Sequence, residues 1–301
     1  SYNDLPKNDY VDSFVIADCL RFGRINKEVY LDDYRYAALK NLTRARFFAV
    51  QNLTREKQRF LNQLFKKYST MAQEKVFSDT FSTTALAVYE SFESAEALAN
   101  MDLHQLTEFI IEKGKKRFPD PDSVAKAIQK AARSSYRLPK TVNDSVNQVL
   151  SISISSMRAM ESQIKAFDKA IAEQMTLIPN TLTSVNGIGP VYSAGIIAEI
   201  GDINRFPNQA SLAKYAGLVW SQHQSGDFEA QNTRLIHSGN RYLKYYLCEA
   251  ALSLVRCDTE YRSFYHRKYN EVNQYQHKRA LALTARKLVR LVFRLLKDNC
   301  L

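Results

Sequence analysis

The stretch Leu182 to Arg205, LTSVNGIGPVYSAGIIAEIGDINR, carries the sharpest local reading in the chain. Gly187 and Gly189 flank Ile188 in a turn where positive φ and close backbone approach exclude a Cβ. Pro190 follows at the first helical position, where its missing N–H costs nothing. The helix then runs through Val191, Ala194, Ile197 and Ala198 and stops at Gly201. Glycines ahead of a helix N-terminus leave its N–H groups facing outward, which makes Gly187, Ile188 and Gly189 candidate phosphate contacts. A tight helix–helix turn with no ligand carries Gly-x-Gly equally well.

Outward from this hairpin, which resembles the helix-hairpin-helix of non-sequence-specific DNA binders, the chain reads as mostly α. Asp9 to about Gly23 predicts a helix capped by Asn8 or Asp9, with one buried stripe at Val11, Phe14, Val15 and Leu20. Asp33 to Lys67 has neither Pro nor Gly. Its Leu39, Leu42, Ala49, Leu53, Phe60 and Leu64 recur at helical steps, giving one helix roughly 50 Å long. A second long helix shows at Leu150, Ile154, Met157, Met160, Ile164, Phe167 and Ile171, in coiled-coil spacing. Shorter helical patterns lie between them at Phe81–Asn100, Asp102–Lys116 and Asp122–Arg133, with Asp102 and Asp122 as N-caps. The two long helices therefore form an antiparallel coiled coil with a helical insertion, suited to dimerisation or spacing. Beyond the hairpin come a short helix at Ala210–Gly217, an irregular stretch with room for a β-hairpin between Leu218 and Ile236, and helices at Arg241–Cys257 and His277–Lys297.

Charge narrows the function. The 301 residues carry a net charge of +11. From Arg205 to Leu301, 16 Lys or Arg stand against 7 Asp or Glu, so this third holds +9. A basic surface set in a mixed globular pattern points to nucleic acid rather than to a membrane. Four cysteines, Cys19, Cys248, Cys257 and Cys300, match neither a metal site nor a disulfide framework, which predicts a reducing compartment. No apolar run approaches a membrane span, so a cytoplasmic protein without a membrane partner is expected. Arg234, Arg241 and Lys244, with the tyrosines among them, and Lys278, Arg279, Arg286 and Lys287 on the last helix are candidate nucleic-acid contacts. Tyrosines packed in a core with solvated cations outside explain the same pattern.

Three features bear on chemistry. Asp9 and Asp12, at i and i+3, put two carboxylates on one helical face, close enough to share a divalent cation or simply to decorate a helix start. Ser225 sits in the turn signal Gln224-Ser225-Gly226-Asp227, where a loop hydroxyl beside basic helices could attack a phosphodiester. His223 and His237 bracket that loop as a potential acid or base.

In order along the chain these pieces resemble transposases of the insertion sequence 110 family, the DEDD transposases that act as serine-using DNA recombinases. Lys7-Asn8-Asp9-Tyr10-Val11-Asp12-Ser13 with Ile16-Ala17-Asp18 resembles the stretch that closes the family's RuvC-like nuclease domain. Gly187 to Phe206 resembles the start of its C-terminal transposase domain; Ala216-Gly217-Leu218, Ser225-Gly226 and Gly239-Asn240-Arg241-Tyr242-Leu243 continue it. HKRALALTARKLVRLVF, from His277, resembles one branch's closing helix. The resemblance implies that Asp9 and Asp12 are the last two acids of a four-carboxylate Mg²⁺ site and that Ser225 is the nucleophile. It implies a noncoding bridge RNA that selects DNA sites, strand exchange within a dimer or tetramer, and a nucleoid-associated prokaryotic protein. It divides the chain into a RuvC-like remnant (1–28), a coiled coil with helical insertion (29–178) and a C-terminal transposase domain (179–301). The family's first Asp and its Glu would lie before Ser1, so this polypeptide is expected to be truncated and inactive alone. A basic pair common in the family is His237-Ser238 here. A non-catalytic helical scaffold that binds nucleic acid is the competing expectation.

Overall fold

A computed structural model describes residues 8–23, 31, 33–74, 76–115, 117–220, 224–225, 228–229, 235–236 and 238–298. Helix α1 (Asp9–Arg21) starts where the Asn8 side chain accepts from the Val11 N–H. None of its residues is buried: Phe14 and Leu20 are 56% and 60% exposed. The expected stripe therefore has nothing packed over it among the described residues.

Helices α2 (Tyr34–Lys67) and α8 (Lys140–Met175) form an antiparallel pair. Cross-links mark the direction. Arg46 meets Asp168 at 2.5 Å, Lys57 meets Glu161 at 3.6 Å, and the Ser153 hydroxyl donates to Glu56 at 2.5 Å. Between them come α3 (Ser69–Glu74), α4 (Thr83–Ser91), α5 (Ala95–Asn100), α6 (Leu103–Gly114) and α7 (Pro121–Arg133). Two expectations change here. The pattern over Phe81–Asn100 is two helices, because Ser94 adopts extended backbone and caps α5 by accepting from the Ala97 N–H. Helix α7 is capped by Asp120 rather than Asp122: Pro121 takes the first helical position, and Asp122 sits in the first turn.

The long pair runs between two cores. One end carries Phe60 and Leu64 of α2 and Leu150, Ile154 and Met157 of α8 into the core of the insertion. The other end carries Leu39 of α2 and Ile171 and Met175 of α8 into the C-terminal core. The periodic residues of the two helices thus serve different cores according to their place along the rod.

The C-terminal core is built on α9 (Pro190–Ile200), α10 (Gln209–Tyr215), α11 (Arg241–Cys257), α12 (Thr259–Asn270) and α13 (Gln276–Asp298). Helix α12 was not expected. Asp258, whose side chain accepts from the Tyr261 N–H, ends α11 and caps α12. Helices α9 and α11 pack antiparallel with almost no gap. A Cβ on Gly195 would stand 2.4 Å from the Tyr246 ring, and the Tyr246 hydroxyl donates to the Thr43 carbonyl of α2 at 2.7 Å. A β-hairpin lies within Leu218–Ile236 as expected. Trp220 bridges Leu235, and β1 (Gln224–Ser225) pairs antiparallel with β2 (Phe228–Glu229), Ser225 opposite Phe228.

Candidate nucleic-acid interface

The α9–α11 pair has two ends that carry candidate site residues. At one, α9 begins at the glycine hairpin. Gly187 has φ +104°, as its turn requires, and its missing Cβ would lie 3.3 Å from Cys257 at the end of α11. Gly189 differs from expectation. Its φ is −71° and open space surrounds its Cβ position, so neither backbone nor crowding demands glycine there. Gly189 is the N-cap of α9, and no side chain caps the helix. Ile188 is 2% exposed and its N–H donates to the Val185 carbonyl, so its side chain anchors the turn. The element leading into the turn is a single 3₁₀ turn, Leu182–Ser184.

At the other end the serine hairpin is mounted. Its two feet meet as bare backbone. A Cβ on Gly239 would stand 2.6 Å from the Gly217 nitrogen, and one on Gly217 would stand 2.7 Å from the Ser238 carbonyl oxygen. Both glycines have positive φ, +121° and +68°. The Ile236 N–H donates to the Val219 carbonyl and the Asn240 N–H to that of Tyr215, which fastens the feet to the end of α10. The family-like segments Ala216-Gly217-Leu218 and Gly239-Asn240-Arg241 are thereby brought together.

Beneath the feet lies a buried carboxylate that the periodicity of α9 gave no reason to single out. Glu199 is fully buried and accepts both Nε (2.7 Å) and Nη2 (2.9 Å) of Arg44 from α2. It also accepts Asn240 Nδ2 at 2.7 Å. The hydrogen bonds to Glu199 hold the Arg44 guanidinium above its ordinary pKa. Asn240 is fully used, because its Oδ1 caps α11 by accepting from the Tyr242 and Leu243 N–H groups and its Nδ2 also reaches the Tyr215 hydroxyl. Arg44, Tyr215, Gly239, Asn240, Arg241 and Tyr242 line an open depression here.

The other expected contacts scatter. Of the three tyrosines on α11, only Tyr242 lines the depression. Tyr246 is fully buried, and Tyr245 packs edge-on against Phe47. Lys244 is half-buried near Cys248, whose thiol burial pushes up to about 11. On α13, Arg279 bonds Glu271 and the Lys268 carbonyl, while Lys287 bonds Glu260 and lies over Tyr261 and Phe264. Burial, with Arg290 nearby, lowers the pKa of Arg286. Lys278 is exposed. Arg234, His223 and His237 lie outside the described residues.

Asp9 and Asp12 stand one turn apart on exposed α1. Among the described residues no three His, Cys, Asp or Glu side chains gather to hold a metal. Two carboxylates with substrate phosphate oxygens are nevertheless a donor set that Mg²⁺ accepts. No described helix is long and apolar enough to cross a membrane.

Residues 180–266 match the family model described as Transposase IS116/IS110/IS902 family, and residues 1–68 match a second model described as Transposase, for the DEDD type of the IS110 group. The insertion element IS116 uncharacterized 44.8 kDa protein of Streptomyces clavuligerus is 26% identical, across 99% of this chain and 73% of its own length. The insertion element IS110 uncharacterized 43.6 kDa protein of Streptomyces coelicolor is 32% identical, across 47% of this chain and 33% of its own. A probable family 20 transposase of Pseudomonas aeruginosa is 31% identical, across 33% of this chain and 27% of its own. With one model spanning the glycine hairpin and the serine hairpin, the other spanning α1 and α2, and these relatives alongside them, the chain belongs to the IS110/IS116 family of transposases.

Proposed function

We propose that the chain serves a DNA transposase that cuts and exchanges the ends of an insertion sequence, with Ser225 as nucleophile. The observation that carries this reading is the glycine-to-glycine mounting of the Ser225 hairpin beside a cationic depression, in a chain of this family. In this scheme the Ser225 hydroxyl oxygen bonds to a DNA phosphorus while the P–O bond to the neighbouring sugar breaks. The serine proton ends on the departing sugar oxygen, and the strand is held as a phosphoserine ester. Attack by the hydroxyl of an exchanged strand reverses these bond changes and frees the serine.

Asp9 and Asp12 are the residues of this chain that would hold Mg²⁺, which when bound neutralises charge developing on phosphate. Selection of DNA sites by a noncoding bridge RNA, assembly as a dimer or tetramer through the α2–α8 region, and a cytoplasmic location on DNA belong to the same proposal. So does the division of the chain at residues 28 and 178. The helix–hairpin end at Gly187–Gly189 supplies backbone contacts to DNA in this reading, its uncapped α9 amides facing phosphate.

The test is a covalent adduct. The protein is incubated with Mg²⁺ and the ends of its element, denatured, and resolved on a gel. A protein–DNA adduct that vanishes in Ser225→Ala supports the assignment. An adduct that survives the substitution overturns the nucleophile.

A further inference from the structure

Most cations of the C-terminal region are committed to neighbours, but Arg44 and Arg241 are arranged differently. The Arg44 guanidinium is clamped to Glu199 along one edge and lies 4.4 Å from the centre of the Tyr242 ring. Its side chain is still 39% exposed. Arg241, exposed at the start of α11, lies 4.7 Å from the same ring and 5.7 Å from that of Phe48, and its Nη2 donates to the Tyr242 hydroxyl at 2.8 Å. Two guanidinium groups thus share one aromatic ring at the rim of one depression, each already held in place before any ligand arrives.

We propose that Arg44 and Arg241 form a subsite for a phosphodiester of the DNA backbone at the foot of the serine hairpin; this rests on DNA being the substrate. Planar guanidinium forks suit phosphate oxygens, and prior ordering by Glu199 and Tyr242 removes much of the side-chain entropy otherwise lost on binding. Among the described residues no acidic side chain lines the depression, and the carboxylate behind it, Glu199, is buried and paired with Arg44. The Tyr242 ring is engaged with guanidinium groups rather than presented to a base, so the subsite holds backbone and reads no sequence. Gly239, one foot of the serine hairpin, is among the residues that line the depression.

The experiment titrates the full chain with a fluorescein-labelled DNA duplex and, separately, an RNA hairpin, by anisotropy from 50 to 200 mM salt. Arg241 is exposed and has no role in the core, so Arg241→Gln is made alone. Arg44→Met is made together with Glu199→Met, so that no buried charge is left alone. Removing one phosphate-binding guanidinium should lower the slope of log affinity against log salt by about 0.9, which shrinks the affinity change across that range by roughly 3.5-fold. The expected result is that reduction for DNA in both variants, with Arg241→Gln melting like the unsubstituted chain. DNA slopes that stay unchanged, or an effect confined to RNA, overturn the proposal. Should the double variant not melt cooperatively, the Arg241→Gln slope alone decides. Ser225→Ala keeps the subsite. A chain in which Ser225→Ala still forms adduct while Arg241→Gln loses DNA slope disproves the nucleophile and leaves the phosphate subsite standing.

Discussion

The two ends of the α9–α11 pair are made of the same materials, glycines, a helix N-terminus and a turn, yet they are built to different tolerances. At the Gly187–Gly189 end one glycine is held by its conformation and the other stands in open space. At the Gly217–Gly239 end both glycines have positive φ and touch each other's backbone, and a buried carboxylate ties helix α2, helix α9 and the cap of α11 into one network. Because the two helices are antiparallel, these ends lie apart by the length of α9, about 16 Å at 1.5 Å per residue. A strand bound at both would run the length of α9. The serine-hairpin end is the one whose parts cannot be exchanged singly.

That difference predicts a ranking of substitutions. The largest effect should come from Arg44→Ala, which leaves Glu199 buried with only Asn240 to offset its charge. Breaking a buried pair costs about 3 kcal/mol or more, which lowers Tm by several degrees; the Arg44→Met/Glu199→Met pair should recover most of it. A thermal melt of the single and double variants reads this directly, and a single variant as stable as its parent would mean the network contributes nothing.

Gly239→Ala follows. It forces a Cβ onto the Gly217 backbone at a φ that L-residues rarely adopt, for a cost of about 1–3 kcal/mol. Here the informative measurement is limited proteolysis between Leu218 and Ser238, where cutting should accelerate before global melting shifts. At the middle of the pair, Gly195→Ala pushes a methyl against the buried Tyr246 ring. Overpacking of about 1–3 kcal/mol is offset by the roughly 1 kcal/mol that alanine gains in a helix, so a net loss of about 1 kcal/mol is expected by chemical denaturation.

The outline of this fold was legible wherever helices are long and their periodicity survives: α2, α8 and α13 are read from apolar residues on one helical face. What periodicity misses is where a helix is interrupted by a competing cap. Ser94 splits one apparent helix in two, and Asp258 starts another where the pattern predicts none. The candidate site is legible in a narrower sense. Gly217, Ser225, Gly239 and Arg241 stand out as a family pattern, but the helical period does not single out Glu199, an acid inside the apolar run GIIAEIG. Its partner Arg44 lies 155 residues away on another helix, and only the three-helix junction gives the pair a meaning. A charged residue amid small apolar neighbours is the one signal that could have found it, since such a residue is rarely buried unless paired. Tyr245 and Tyr246 show the reverse case. Spacing alone cannot separate a stacking platform from core aromatics, and packing against α2 buries Tyr246 and sets Tyr245 edge-on against Phe47.

The smallest expected effect tests the comparison at its other pole. Gly189→Ala adds a methyl where nothing lies within 4 Å, at a φ of −71° that alanine adopts freely. Its cost is limited to replacing glycine by a poorer N-cap residue, about 0.5 kcal/mol. Gly187→Ala, two residues earlier, must hold an L-residue at φ +104° against Cys257 and Leu254 and should lose about 1–2 kcal/mol. Melted side by side, the two variants separate conformation from function within a single turn. If the outward α9 amides hold phosphate, the new methyl stands in the ligand's path, so Gly189→Ala should keep its stability and lose affinity for duplex DNA. Equal DNA affinity with equal stability would reduce the hairpin to a helix start, and all measurable contact with the strand would then belong to the serine-hairpin end.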